Sequence, residues 1–221
     1  MASETAGSRS LLAHHFADLG EQKDATTLGM WLFLAQEVMF FGGLFLVYTV
    51  YRFSFHEAFA AASHHLDVKL GAINTAVLIG SSLTMALAVH AAAVGKRKQL
   101  VVFLLLTVLL GSAFLGVKVV EYADKYHHHL VPGPGFSGEA LHLEGDRARQ
   151  AEMYFSLYFG MTGLHALHMI VGIPILLILA VKGWRGAYTP EYSTPVEFTG
   201  LYWHFVDIVW IFLFPFLYLI H

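Results

Sequence analysis

The chain contains 221 residues, of which 57% are hydrophobic and 13% charged, and its formal net charge is −3. A typical soluble domain has roughly 45–50% apolar and about 25% charged residues, so this chain has too few charges to cover a water-exposed surface. The absence of cysteine excludes disulfide scaffolds, thiolate metal sites and cysteine nucleophiles. The abundant aromatic residues exclude disorder, and nothing in the charge indicates nucleic-acid binding. The composition is typical of an integral membrane protein.

Five long apolar stretches predict an all-α integral membrane bundle of five transmembrane helices. A spanning helix needs about 20 residues, and the period-two alternation of a transmembrane barrel is absent. In chain order the stretches occupy about 28–50, 70–94, 100–117, 153–181 and 198–220. They define one transmembrane domain, 28–221, preceded by a polar N-terminal tail, 1–27. This tail has no short apolar core and is therefore not expected to be a signal peptide.

The connections between the spans predict the orientation of the chain. The longest connection, 122–152, contains His127–His129 and a Pro-Gly run and is expected to be an extramembrane loop. Three adjacent histidines point in different directions on a regular backbone, which favours a polar loop over a metal site. Lys and Arg residues concentrate in short connections such as 96–98, and this pattern predicts a cytoplasmic N-terminus.

Small residues recur every fourth position in the second span and predict a helix-packing surface. They are Ala72, Ala76, Gly80, Thr84, Ala88 and Ala92. Small side chains let helix backbones approach closely in lipid, where hydrophobic burial does not drive association. A spacing of four drifts by about 40° per step on a helix with 3.6 residues per turn. The stripe is therefore expected to wind around the helix and favour a right-handed crossing.

Ionisable residues at membrane depth are costly and are functional candidates. The candidates for a membrane polar network are Glu37 in the first span, His165 and His168 in the fourth, and His204 and Asp207 in the fifth. The last four form two pairs spaced by three residues, so each pair shares one helix face. No residue is predicted to be catalytic.

Lys118 and Glu121 end the third span and are also three residues apart. A lysine at the end of a membrane helix can extend its stem so that the ammonium group reaches the interface. The spacing therefore predicts a snorkelling ion pair at the outer interface.

Three chemistries fit the intramembrane histidines and carboxylates. A di-iron bundle would need Glu-x-x-His motifs on two helices, and none occurs in these spans. A haem would need axial histidines, here from two helices. A hydrogen-bonded polar network, either structural or concerned with protons, needs no special geometry and is favoured, with no metal bound by the chain.

Five motifs in order resemble haem–copper oxidase subunit III in its five-helix form. They are QEVMFF at 36–41, NTAVL at 74–78 with the serines at 81–82, EY at 121–122, TGLHALH at 162–168 with Gly172, and YWHFVDIVW at 202–210. The resemblance covers about residues 28–221. The long form of the family has two additional helices separated from the rest by a lipid-filled cleft, so lipids held against those helices cannot be transferred to this chain.

The resemblance implies a non-catalytic subunit of an aerobic terminal respiratory oxidase, using cytochrome c or quinol, in a bacterial inner membrane. Glu37 would be the family's membrane carboxylate. The chain would contain no haem or copper, which belong to a partner subunit, and would bind catalytic subunit I, other respiratory subunits and phospholipid. It would support assembly, oxygen and proton supply, and stability during turnover. The alternatives are a homologous subunit associated with nitric oxide reductase and a self-sufficient membrane enzyme with a di-iron or haem centre.

Overall fold

A computed structural model describes residues 18–141, 143–190 and 192–220, and its regular elements there are all helices joined by turns and loops, apart from one isolated bridge between Thr189 and Tyr192. The first part of the predicted tail, 1–17, lies outside these residues. The helices are α1 Leu19–Ser54, α2 His56–Ser63, α3 Val68–Ala93, α4 Arg97–His127, α5 Asp146–Trp184 and α6 Thr194–Tyr218, with a short 3₁₀ helix at Gly138–Leu141.

Five of these helices, all except α2, are long and apolar enough to cross a membrane, which confirms the predicted all-α membrane fold. All five long helices begin before the predicted apolar spans, and α1, α4 and α5 also end beyond them. In particular, α4 continues to His127 and α5 begins at Asp146, so much of the segment 122–152 is helical rather than loop. Hydropathy detects only the apolar part of a helix and does not detect the polar turns at its ends. The eight-residue α2 was not predicted.

The chain divides into two compact units, Met1–Phe40 and Phe41–His221. The described part of the first unit is the beginning of α1, where the Asp18 carboxylate accepts a hydrogen bond from the backbone N–H of Glu21 at 2.8 Å, as an N-cap does. In the second unit α3 contacts α4, α4 contacts α5, α5 contacts α6 and α6 contacts α3, so these four helices close a ring. Helix α2 packs against α5.

Local sequence explains how α3 begins and ends. Asp67 precedes the helix, and its carboxylate accepts hydrogen bonds from the backbone N–H groups of Lys69 and Leu70 at 2.9 and 3.1 Å. Such a cap satisfies donors that have no partner within the helix. After the helix, Gly95 adopts a φ of 70°, a conformation that glycine reaches without steric cost. The chain can therefore reverse directly into α4.

Trp203 of α6 is the side chain around which three other helices meet. Its ring lies against Gly111 of α4 and Gly172 of α5, because a Cβ added at either glycine would be only 2.9 Å from a ring carbon. Its indole N–H donates a hydrogen bond to Ser81 Oγ of α3 at 2.9 Å. Small residues thus bring helices close together here, but at positions outside the predicted small-residue stripe.

The predicted small-residue stripe on α3 is only partly a packing surface within this chain. Ala88 and Ala92 are buried, Gly80 and Thr84 are half-buried, and Ala72 and Ala76 are exposed. The prediction that all of them pack was therefore wrong for the two alanines at the beginning of the helix. A period of four drifts away from any straight contact face at 3.6 residues per turn, and the buried face instead follows mixed steps of three and four. Its members are Gly71, Asn74, Leu78, Ser81, Met85, Ala88, Ala91 and Ala92.

Candidate functional site

The most elaborate polar cluster surrounds Lys118 of α4. Its ammonium nitrogen lies 2.9 Å from Glu121 Oε2, 2.8 Å from the Tyr218 hydroxyl oxygen and 3.2 Å from that of Tyr158. The other oxygen of Glu121, Oε1, accepts hydrogen bonds from both tyrosine hydroxyls. This cluster, named here the lysine cluster, joins α4, α5 and α6.

Aromatic faces complete the enclosure of the Lys118 charge. The ammonium nitrogen lies 4.8 Å from the ring centroid of Trp210 and 5.6 Å from that of Tyr122. Both distances are within the range of about 6 Å in which a cation is attracted to a ring face. A buried ion pair is tolerated when its remaining hydrogen-bonding capacity is satisfied, and the tyrosines provide this here.

The expected snorkelling of the Lys118–Glu121 pair is therefore corrected. The spacing of three residues does produce an ion pair, but both side chains are buried inside the bundle. The physical reason is that Tyr158 and Tyr218 supply hydroxyls to both charges, so neither charge has to reach water. The sequence analysis missed these tyrosines because they lie on other helices than Lys118 and Glu121. The signal available for them was the polar hydroxyl that each places within an otherwise apolar span, the fourth and the fifth.

His165 occupies an enclosed site between α4, α5 and α6. Its Nε2 lies 3.1 Å from the backbone carbonyl oxygen of Val206. The ring contacts Phe114 and Trp210, with centroids 5.3 and 5.2 Å away. His165 is fully buried, and its Nδ1 makes no hydrogen bond to a described residue. The histidine thus packs mainly as an aromatic ring.

His204 and Asp207 lie one helical turn apart on α6. His204 Nδ1 lies 2.7 Å from Ser82 Oγ of α3, and Asp207 follows three residues later on the same helix. Asp207 is 2% exposed, and neither of its carboxyl oxygens hydrogen-bonds to a described residue. A buried carboxyl one helical turn from an imidazole that contacts a hydroxyl belongs to a set of groups that can carry a proton. This group of three residues is named here the serine cluster.

The other two predicted network residues lie elsewhere. His168 is half-buried on α5, with Nδ1 2.8 Å from the Leu164 carbonyl oxygen of its own helix and its ring 5.5 Å from that of Phe41. Glu37 belongs to the first unit, on α1, and its side chain is buried. Within the second unit His204 and Asp207 lie one helical turn apart on α6, whereas His165 and His168 have separate surroundings.

The described residues contain no group of three or more His, Cys, Asp or Glu side chains arranged to hold a metal ion. The three histidines explain this absence, because their ring nitrogens hydrogen-bond to different partners: a carbonyl on α6, a carbonyl on α5 and a hydroxyl on α3. Ligands for one metal have to converge on one point. The arrangement consists instead of separate polar clusters inside an apolar bundle.

Five helices long and apolar enough to cross a membrane define a multi-pass membrane protein, and sequence comparison gives its family. The family model for cytochrome c oxidase subunit III matches residues 11–128 and 148–221. The chain therefore belongs to the cytochrome c oxidase subunit III family, as the motifs in its sequence predicted.

Similar proteins include subunits of oxidases with two kinds of electron donor. Cytochrome c oxidase subunit 3 of Corynebacterium diphtheriae is 32% identical over 97% of this chain and 97% of its own length. Cytochrome bo(3) ubiquinol oxidase subunit 3 of Pseudomonas aeruginosa is 30% identical over 96% of this chain and 98% of its own length. Cytochrome c oxidase subunit 3 of Papio hamadryas is 32% identical over 84% of this chain but 66% of its own length.

Proposed function

We propose that this chain is the non-catalytic subunit III of an aerobic terminal oxidase, using cytochrome c or quinol, and that it binds catalytic subunit I and sustains it during turnover. The haem and copper of such an enzyme would belong to the partner subunit. The observation that carries the proposal is that His165, His168 and His204 turn to three different hydrogen-bonding partners. Histidines that hydrogen-bond to different partners support the packing of the helices and do not form a common set of ligands for a metal.

The lysine cluster supports a structural part of this role. Its charges and hydroxyls come from three different helices and hydrogen-bond to one another away from solvent. Burying such groups is costly unless all are satisfied, so the cluster favours one arrangement of α4, α5 and α6. A bundle fixed in this way would present a constant surface to subunit I.

The serine cluster and Glu37 support a part in proton supply. Asp207 is buried without a hydrogen bond to a described residue, and His204, one helical turn away on α6, contacts Ser82. An intramembrane carboxyl in this setting is a candidate proton carrier. His165 and His168 are proposed to hold α5 in place beside α6, which carries His204 and Asp207. The chain would lie in a bacterial inner membrane with its N-terminus in the cytoplasm.

Removing the chain from its oxidase complex tests the proposal. The depleted complex should keep its haem and copper spectra, and its initial rate of oxygen uptake should stay within the same order of magnitude. Its activity should then decline faster during continuous turnover. Adding back the chain with lipid should restore endurance, whereas lipid alone should not. Immediate and complete loss of activity with altered haem spectra would show that the chain holds part of the catalytic centre.

A further inference from the structure

The last turn of α6 is held by hydroxyl groups of other helices. The last four carbonyl groups of an α-helix have no partner within the helix. In α6 two of them accept hydrogen bonds from buried tyrosines: the Phe216 carbonyl from Tyr48 of α1 at 2.6 Å, and the Leu217 carbonyl from Tyr154 of α5 at 2.7 Å. Two neighbouring helices thus supply hydrogen bonds that α6 cannot make by itself.

The residues just after this turn are enclosed by α2. Ser63 Oγ of α2 lies 3.1 Å from the Ile220 carbonyl oxygen and shares its hydroxyl with the Ala60 carbonyl of its own helix at 2.9 Å. Ile220 is fully buried, and Tyr218 is 1% exposed. The segment 216–220, named here the latch segment, is therefore held against α1, α2 and α5.

Pro215 weakens the connection between the latch segment and the rest of α6. This proline lies inside the helix. Because it has no backbone N–H, it cannot donate the helical hydrogen bond to the carbonyl of Ile211, four residues earlier. Helices bend at such positions. The latch segment thus depends on its neighbours for its position, and Pro215 is the point about which it can turn.

The latch segment also carries one member of the lysine cluster. The Tyr218 hydroxyl oxygen lies 2.8 Å from Lys118 Nζ, and the hydroxyl donates a hydrogen bond to Glu121. Movement of the segment away from α1 and α5 would withdraw this hydroxyl and leave the buried ion pair incompletely satisfied, which is costly. The backbone hydrogen bonds and the lysine cluster therefore stabilise the same closed position.

We propose that the latch segment opens and closes as one unit about Pro215 and controls the access of water and small solutes to the Lys118–Glu121 ion pair. Proteins open locally in contiguous units whose free energies lie below that of global unfolding. The hydroxyls of Tyr48 and Tyr154 keep the segment closed. This device operates whatever the role of the chain in turnover.

Chemical labelling of lysine side chains in the assembled oxidase complex tests the latch. The probe is a water-soluble N-hydroxysuccinimide ester of acetic acid, which acetylates an amine only when it reaches it, and mass spectrometry gives the rate for each lysine. Lys118 should be labelled far more slowly than Lys69, which is exposed.

Variants of the two tyrosines should open the latch. Tyr48→Phe and Tyr154→Phe each remove one hydroxyl and keep the ring. The loss of one hydrogen bond shifts an equilibrium by roughly 2–12-fold, so each variant should accelerate labelling of Lys118 by about that factor. The double variant should accelerate it by the product of the two factors. Ser63→Ala provides the same comparison if a tyrosine variant does not assemble.

Two control variants separate the latch from general destabilisation. Tyr51→Phe removes a hydroxyl from the same helix as Tyr48, at a ring that stacks on Phe55, and should leave the labelling rate unchanged. Gly111→Ala crowds the Trp203 ring, three turns before the latch segment on α6. It should lower the temperature of global unfolding without accelerating the labelling of Lys118 below that temperature.

Hydrogen exchange reports the movement of the latch segment itself. The backbone N–H of Leu219 donates to the Pro215 carbonyl at 3.3 Å. Since one opening exposes both sites, exchange in the peptide that contains Leu219 should accelerate in the tyrosine variants by the same factor as the labelling of Lys118.

Three results would overturn the inference. Labelling of wild-type Lys118 as fast as Lys69 would show that the ion pair is not sealed. Equal labelling rates in Tyr48→Phe, Tyr154→Phe and Tyr51→Phe would show that the two hydroxyls do not hold the segment. Faster labelling without faster exchange at Leu219 would place the opening elsewhere. None of these results concerns oxygen uptake during turnover, so the proposed oxidase role is judged separately.

Discussion

Lys118 and Glu121 form an ion pair of 2.9 Å inside the bundle, where each side chain is only 3% exposed. Taking two charges away from water is costly, and their mutual attraction compensates only when every remaining donor and acceptor is satisfied. Tyr158 and Tyr218 contact both charges. The pair therefore links three helices, although its two members lie on a single helix.

Removing one member of this pair should be more harmful than removing both. Lys118→Met leaves the buried Glu121 carboxylate without its counter-ion, and Glu121→Gln does the same to the Lys118 ammonium group. Each single variant should therefore lower the free energy of unfolding by about 3–5 kcal/mol. The double variant should recover a substantial part of the loss. Thermal unfolding of the purified chain in detergent measures all three variants.

The exposed pair Arg147–Glu57 is the control for that experiment. Its atoms are also 2.9 Å apart, but the side chains are 65% and 79% exposed. Exposed pairs contribute about 0–1 kcal/mol, so Arg147→Gln should change the unfolding temperature little. Equal effects of Lys118→Met and Arg147→Gln would contradict the enclosure of the lysine cluster.

Glycines next to Trp203 should tolerate no larger residue. Gly111→Ala and Gly172→Ala would each place a methyl group 2.9 Å from a ring carbon, and overpacking of this kind costs about 1–3 kcal/mol. Gly116 and Gly160 lie on the same two helices with nothing within 4 Å of an added Cβ. Gly116→Ala and Gly160→Ala should be neutral or stabilising, since alanine favours helix by about 1 kcal/mol over glycine.

Thermal unfolding in detergent again provides the comparison between the two pairs of glycines. If alanine at 116 and 160 destabilised the chain as much as alanine at 111 and 172, the close contact with the indole ring would not be the cause.

His165 should be replaceable by another ring of similar size. His165→Phe keeps the contacts with Phe114 and Trp210 and loses the hydrogen bond to the Val206 carbonyl, a net cost of about 0.5–1.5 kcal/mol. His165→Ala leaves a cavity in addition and should cost more. Thermal unfolding measures the loss of stability in both variants. The assembled complex that contains each variant is then assayed for the decline of oxygen uptake during turnover. Loss of endurance with His165→Phe at nearly unchanged stability would indicate a chemical role for the imidazole.

The isolated chain should contain no stoichiometric iron, copper, zinc or haem. Its three membrane histidines use different partners within the bundle, so they do not offer converging ligands. Elemental analysis and an optical spectrum after purification with a chelator provide the measurement. One equivalent of metal that disappears in His165→Phe or in His204→Phe would contradict the proposed non-catalytic role.

The helices could be predicted because apolar length alone decides which segments cross a membrane. Their full extents could not, since α4 continues through Asp124 and Lys125 to His127 although these residues are polar. A short apolar helix such as α2 gives no distinct periodic signal. Hydropathy identifies the segments that lie in lipid and does not identify polar helical turns that lie outside the bilayer.

The candidate site was predictable only where its members lie on the same helix. A spacing of three residues was enough to pair Lys118 with Glu121. Their burial depends on Tyr158 and Tyr218, whose approach is a property of how the helices pack rather than of any local pattern. The same limit applies to Gly111 and Gly172, whose importance comes from a tryptophan on a third helix.

The lysine cluster also has a consequence for biosynthesis. Lys118 precedes Tyr158 by 40 residues and Tyr218 by 100. At a translation rate of about 5–20 residues per second, the last hydroxyl emerges roughly 5–20 s after the lysine. During that interval α4 has to enter the bilayer with its two charges neutralising only each other, so the nascent chain depends on the insertion machinery until its final helix arrives.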